Sequence, residues 1–367
     1  MRLASVVELC CCWLGVALVA VTAHSQAGQI GAIHVDPQDS KMGVTISRNP
    51  PAVIATSPEA ANILRDLRAS NGIDAQSAAP WHAELTYDEF DEDGDNVHSG
   101  TVEEFYVSPK KYRKIIKTDE FTQTEVANGA ELYRDGDQGW PPQATLQAAR
   151  EVFEPLYQSS VERQGHATPD KLDWTVGNTL LSCVVLRGVG MIISTDGLPK
   201  FCYEPGTNIL RYTRGEGWDE TVYNNVFLFQ QRNIAHDLEV THGGKPFLKI
   251  HLAKIGLLPQ IDESLFLPPA GSPGPLTGSI TVPSAILMKE YLVHRSFPPH
   301  FPKGVPGKVT VKFEVSKDGR VVRAASTDGP EELRKPAEED AMKLEFRPFL
   351  ILGKAVEVRS TTVYNIQ

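Results

Sequence analysis

The sequence predicts an α+β protein. It has a large, curved, half-barrel-like antiparallel β-sheet with two helices, followed by a small C-terminal α+β domain. Three observations predict it. From Trp81 to Leu257, short runs of alternating apolar and polar residues recur at regular spacing, separated by turn signals, as expected of a meandering antiparallel sheet. A Pro/Gly/Ser run, Ala270-Gly271-Ser272-Pro273-Gly274-Pro275, marks a domain boundary. Beyond it, Gly307 to Arg323 reads GKVTVKFEVSKDGRVVR: Val309, Val311, Phe313 and Val315 alternate with polar residues, a strand with one buried face. The Asp318-Gly319 turn and Arg320–Arg323 make that strand half of a hairpin.

In order along the chain, residues 1–27 read as a secretory signal: Arg2 as the positive start, an apolar Trp13–Val21, and small residues at Ala23-His24-Ser25 or Ser25-Gln26-Ala27. The alternative is an uncleaved anchor, although Glu8 and His24 leave an apolar stretch shorter than the roughly 20 residues of a spanning helix. Residues 28–56 are an aperiodic, flexible lead. The sheet domain is expected over 57–270. Ser57-Pro58-Glu59 opens a helix, with Ala60, Ile63, Leu64 and Leu67 on one face and Asn71-Gly72 as its stop.

Strands are expected at Trp81–Tyr87, Val102–Val107, Tyr112–Lys117 and Phe121–Val126, with Asp91–Gly100 an acidic turn. A second helix, Ala144–Tyr157, presents Leu146, Ala149, Phe153 and Leu156. Strands resume at Leu180–Leu186, Phe201–Tyr203, Ile209–Thr213, Glu220–Phe229, Leu238–Thr241 and Phe247–Leu257. Residues 271–282 are the linker. The C-terminal domain, 283–367, adds to its hairpin a helix over Glu331–Leu344, with Ala337, Ala341 and Leu344 on one face. Strands then run to the end.

Composition narrows the function. The 367 residues carry a net charge of −10, and losing residues 1–27 removes one Arg and one Glu, so that charge persists. An acidic surface argues against nucleic acid and against electrostatic docking on anionic lipid, and leaves other membrane association open. Beyond Cys10, Cys11 and Cys12 only Cys183 and Cys202 remain. In an oxidising compartment this pair invites a disulfide; two buried free thiols are the other reading.

Asp91, Asp93 and Asp95 imitate an EF-hand start. Asn96 replaces its glycine and Val102 its glutamate, so a solvated turn is expected. The histidines are dispersed, and no HExxH, GxSxG, phosphate-binding loop or GxGxxG occurs. No cofactor, no metal and no catalytic residue is therefore assigned. Trp140, Trp174, Trp218 and Tyr223 line a cavity on one reading and fill sheet core on the other.

Two resemblances follow from these residues. The hairpin, the acidic helix, Phe346-Arg347-Pro348, Gly353 to Val356 and the last strand, preceded by Pro299-His300-Phe301-Pro302, resemble the C-terminal domain of the TonB family over about Pro283–Gln367. TonB is a periplasmic energy transducer. Here only four residues separate Pro302 from Gly307, where that family has a longer spacer. The helix at Ser57–Ser70, the Trp81 strand, Leu132–Gly136 (LYRDG) and Leu265–Pro269 (LFLPP) more weakly resemble LolA/LolB-like periplasmic lipoprotein-binding proteins, over about Glu59–Ala270.

The first resemblance implies a partner-binding strand at Glu357–Ile366, with Val356, Val358, Val363 and Tyr364 as its site residues, pairing with an outer-membrane or other envelope protein. The second implies an acyl-chain or lipoprotein ligand. Together they imply a non-enzymatic periplasmic protein. A divergent energy transducer anchored in the inner membrane, and an enzyme with an unfamiliar site, are the alternatives.

Overall fold

The computed structural model describes residues 58–73, 77–157, 167–176, 179–188, 198–215, 219–294, 301–302 and 304–366. The signal, the lead, Ser57, Trp218, Pro299 and His300 lie outside the described residues.

Twelve antiparallel strands form one sheet: β1 (Trp81–Phe90), β2 (Asn96–Ser108), β3 (Lys111–Thr118), β4 (Thr122–Asn128), β5 (Glu131–Gly136), β6 (Ala167–Val176), β7 (Thr179–Gly188), β8 (Lys200–Tyr203), β9 (Leu210–Arg214), β10 (Asp219–Phe229), β11 (Arg232–His242) and β12 (Lys245–Leu257). Their spatial order is 5-4-3-2-1-12-11-10-9-8-7-6. β1 pairs with β12 near the middle, and the sheet is open, with β5 and β6 as its ends. Bulges at Glu84/Leu85, Val240/Thr241 and Cys202/Tyr203 interrupt the ladders, and each bends its strand and raises local twist.

Helix α1 (Pro58–Ser70) and helix α2 (Gln143–Phe153) cover one face. On that face Trp81, Ala83, Leu85 and Tyr87 alternate inward, as the period of two requires. Ala60, Leu64 and Leu67 are the buried stripe of α1. Its end is built by Asn71 and Gly72. The Asn71 side-chain amide donates to Leu67 O and Asn208 O, while Gly72 has φ +73° and a Cβ there would stand 2.5 Å from Pro155 Cδ, so only glycine fits. Arg232 donates from its guanidinium to the carbonyls of Arg68, Ala69, Asn71 and Gly72, placing a cation on the negative end of α1.

Several expectations need correction. α2 stops at Phe153 rather than Tyr157, because Pro155 disfavours helix at Glu154 and lacks an N–H of its own. Its buried stripe is Ala144, Thr145, Gln147, Ala148 and Val152; Leu146, Ala149 and Phe153 are only half-buried. The apolar period misled because two polar side chains face inward. The acidic turn is short: Asp91 Oδ1 accepts the N–H groups of Asp93 and Asp95, and β2 already begins at Asn96. β5 and β6 were not anticipated as strands. Pro169 with Asp170, Lys171 and Asp173 broke the β6 pattern; such residues suit an edge strand.

Cys183 and Cys202 face each other across β7 and β8 and form a disulfide. They lie with Leu181, Tyr212 and Val222 in a cluster on the face away from α1 and α2. After β12, a 3₁₀ turn at Glu263–Phe266 buries Phe266, and Leu276 N–H bonds Leu132 O on β5. The linker thus shields part of an otherwise open edge.

The C-terminal residues form a second sheet from β13 (Ile280–Thr281), β15 (Gly307–Val315), β16 (Val321–Asp328) and β20 (Val358–Ile366), in the order 13-20-15-16. Smaller pairs are β14 (Leu292–His294) with β17 (Glu345–Phe346), and β18 (Phe349–Ile351) with β19 (Lys354–Val356). Val309, Val311, Phe313 and Val315 are all buried, as their alternation predicts. Helix α3 (Glu331–Ala341) lays Leu333, Ala337 and Ala341 on Val309 and Val311. Among the described residues no helix is long and apolar enough to cross a membrane.

Candidate functional site

The helix-covered face of the large sheet has an apolar half and a charged half. On the charged half, Glu104, Lys114, Glu125 and Arg134 stand directly opposite one another on β2, β3, β4 and β5. Lys114 Nζ lies 3.1 Å from Glu104 and Arg134 2.7 Å from Glu125. Tyr112 O–H also donates to Glu125, at 2.7 Å. Burial alone would lower the Lys114 ammonium, but Glu104 and Glu125 outweigh it and hold the lysine above its ordinary value. Burial, reinforced by Glu125, pushes the Tyr112 phenol well up.

Over the apolar half, Tyr87 fixes α2. Its ring crosses Gly100, where a Cβ would meet ring atoms at 2.5 Å, and its hydroxyl reaches Thr145 Oγ1 at 2.5 Å. Farther along α2, Glu151 accepts the Tyr223 hydroxyl at 2.7 Å. Burial raises the Glu151 carboxyl above the usual range despite the Tyr223 and Arg150 contacts.

A half-open cleft of about 1030 Å³ lies at the start of α2, bounded by the turn after β1 and the β11–β12 turn. Phe90, Pro142, Ala144, Pro246 and Phe247 give it apolar walls, and Glu89, Asp91, Glu92 and Asp219 face Lys245, His98 and His242. Asp219 is hydrogen-bonded to His242 at 2.7 Å, and Lys245 approaches Glu92 at 3.7 Å. Gln147 also lines the cleft. It is only 4% exposed, and its Nε2 has no hydrogen-bond partner. The cap of α2 is Pro142, without a side-chain bond, and the first turn holds no acid. The N–H groups of that turn, a positive helix end and an amide donor therefore lie along one cavity.

The smaller sheet offers an edge. β20 pairs with β15 over its full length, but with β13 only at Val358 and Arg359. Beyond Ser360, among the described residues, no strand occupies its other side. Of the expected site residues, Val358 and Tyr364 are buried, Tyr364 beside Phe301 at 5.8 Å between ring centroids. Val356 is half-buried in the β18–β19 pair, and Val363 is 42% exposed. Only Val363 presents its side chain to solvent. On the face opposite α3, Lys312, Arg323, Arg359 and Glu314 surround a groove of about 410 Å³.

Of those aromatic residues, the described ones, Trp140, Trp174 and Tyr223, do not share a cavity. Trp140 meets Phe349 edge-on, Trp174 packs on Tyr212 beside the disulfide, and Tyr223 lies in the main core. Sequence reasoning missed Gln147. A glutamine next to alanines on an amphipathic helix reads as solvated, and only the α2 orientation turns it inward.

No family model and no curated protein matches the chain. Among solved structures it is similar to a candidate outer membrane lipoprotein-sorting protein domain from Vibrio parahaemolyticus, at 8% identity and TM-score 0.33, over 56% of this chain and 95% of that one. It is also similar to a LolA superfamily protein from Nitrosomonas europaea, at 10% identity and TM-score 0.34, over 58% and 98%. A DUF1329 family protein from Desulfovibrio piger aligns at 7% identity and TM-score 0.36, over 57% and 95%. These scores are low, and the reading of the site rests on its own geometry.

Proposed function

We propose that this is a non-enzymatic protein of the bacterial envelope, exported to the periplasm, whose large sheet domain holds an acylated ligand and whose C-terminal domain docks on an envelope protein. One observation carries the first part: the buried, unpartnered Gln147 amide on an apolar-walled cleft at the bare end of α2. A buried donor without an acceptor costs about 1–3 kcal/mol, which a bound carbonyl would offset. Four carboxylates against one lysine on the cleft lining oppose a free anionic headgroup. The acceptor that suits is neutral: the ester or amide carbonyl of an acyl chain, as on a lipid-modified protein N-terminus. Mass spectrometry of gently purified protein tests this. Acyl species should co-purify, and Gln147→Leu should weaken binding of a fluorescent fatty-acyl ester roughly five- to tenfold, the loss of one hydrogen bond. Ligand-free preparations, or equal binding by that variant, would reject it.

Among the described residues no strand occupies the far edge of β20 beyond Ser360, and this supports the second part, since a free strand edge accepts an extended partner through its main chain. A photo-crosslinking residue at Val363 should capture one envelope protein, whereas the same residue at Val322, on the opposite edge strand, should not. Equal capture at both positions would remove this half of the reading.

A further inference from the structure

Away from the cleft, on the face of the large sheet opposite the helices, His82, Glu84 and Glu103 form a cluster that neither ligand nor partner reading uses. His82 and Glu84 are two apart on β1 and so share a face, and Glu103 stands directly opposite Glu84 on β2. His82 Nε2 lies 2.9 Å from Glu103 Oε1 and 3.4 Å from Glu84 Oε1, and the three donor atoms all fall within 4.8 Å of one another. We propose that these three side chains bind one divalent transition-metal ion, of which Zn²⁺ fits best.

The chemistry argues from the strands upward. Two glutamates directly opposite on paired strands repel; a dication between them reverses that sign. A tetrahedral zinc with bonds near 2.0–2.1 Å sets its donors about 3.3 Å apart, so the two histidine–glutamate spacings need adjustments of only a few tenths of an ångström, and the two glutamates, whose oxygens lie within 4.8 Å, close on the ion by side-chain rotation. The imidazole is held in place before any ion arrives: it stacks on Phe105 at 4.1 Å between centroids, with 7° between planes. β1 is paired on both sides, with β2 and β12, which makes the platform stiff.

The His82 side chain is 12% exposed, while those of Glu84 and Glu103 are 43% and 36%. The ion therefore enters from solvent, and water completes the fourth position. One imidazole with two carboxylates suits Zn²⁺ and excludes Mg²⁺, which prefers oxygen alone. Lys254 competes for Glu84 at 3.2 Å, but this exposed pair is worth no more than about 1 kcal/mol and yields to a dication. Bound there, the ion ties β1 to β2 near the middle of the sheet.

The test uses the full chain, stripped with a chelator and dialysed. Calorimetric titration with Zn²⁺ should give one site per chain, Mg²⁺ should give none, and Co²⁺ should develop the visible absorption of a tetrahedral site. His82→Phe preserves the stack on Phe105 but removes the nitrogen, and Glu103→Gln preserves shape but removes charge. Each should weaken Zn²⁺ binding at least about tenfold, a loss that even outer-sphere changes reach. Absence of Zn²⁺ binding to the native chain, or unchanged affinity in both variants, overturns the proposal and leaves a histidine hydrogen-bonded to Glu103. If His82→Phe does not fold, Glu103→Gln and the Co²⁺ spectrum decide.

Discussion

Breaking the Cys183–Cys202 bridge should destabilise the large sheet by a predictable amount. The bridge closes 19 residues of separation between adjacent strands. In the chain-entropy account, a loop of that length removes about 11 cal/mol/K from the unfolded ensemble, or about 3 kcal/mol at 25 °C. For a domain of this size each kcal/mol moves the midpoint by about 2–4 °C, so the expected fall is roughly 6–12 °C. Both cysteines are buried against Leu181, Tyr212 and Val222, so a reductant reaches them only when the sheet opens. The assay is a thermal melt of a chain starting at Gly28, refolded with and without reductant, beside a Cys183→Ala/Cys202→Ala variant. That variant should lose a little more than the reduced protein, because two sulfurs leave a packed cluster. Two free thiols on denaturing the unreduced chain would remove the bridge itself. Coincident melts of the oxidised and reduced forms would refute the loop-closure argument.

Four further outcomes are expected. Glu151→Gln should flatten the pH dependence of stability: burial holds the folded carboxyl above its unfolded value, so the folded state binds the extra proton, and native stability falls as pH rises from the unfolded value through the raised one. A variant whose urea midpoint declines as steeply as the native chain's would refute this. Gln147→Leu should raise stability of the ligand-free protein by about 1 kcal/mol while weakening the acyl ligand, since it deletes an unpaired buried donor; a urea midpoint below the native one would count against that orphan. Arg232→Ala should cost about 2–4 kcal/mol and increase amide exchange first in α1, because four helix-end carbonyls lose their donor. Leu333→Ala should cost about 2–5 kcal/mol and release α3 from the smaller sheet, read by loss of exchange protection over Val309–Val315.

Alternation was legible wherever one sheet face is core and the other solvent, which is why β1, β2, β3, β12 and the Gly307–Val315 strand were readable in advance. It was absent where both faces are buried, although Phe201–Tyr203 and Ile209–Thr213 were still expected as strands, and it failed where neither face is core. Strands β8 and β9 are buried on both sides, and their polar members, Lys200, Arg211 and Arg214, are held by aromatic rings or carboxylates: Lys200 by Trp174, Arg211 by Glu204 and Arg214 by Glu220. The edge strand β6 is charged and carries a proline, so it lacked the signal. The cleft was invisible because its members come from the turn after β1, the start of α2 and the β11–β12 turn, segments whose only relation is spatial.

By itself the sequence determined the local elements: the Asp-Gly hairpin, the stop at Asn71-Gly72, the interruption at Ala270–Pro275, and the two cysteines that lie beyond Cys10, Cys11 and Cys12. These follow from backbone preferences and from hydrophobic period, which act over a few residues. The tertiary structure alone decided which strands became neighbours across long separations, β1 beside β12 above all. It therefore decided that Cys183 faces Cys202, that Gln147 turns inward, and that Glu84 and Glu103 oppose each other beside His82. Those choices depend on how whole faces are buried together, a global balance of packing and charge that no short window of residues contains.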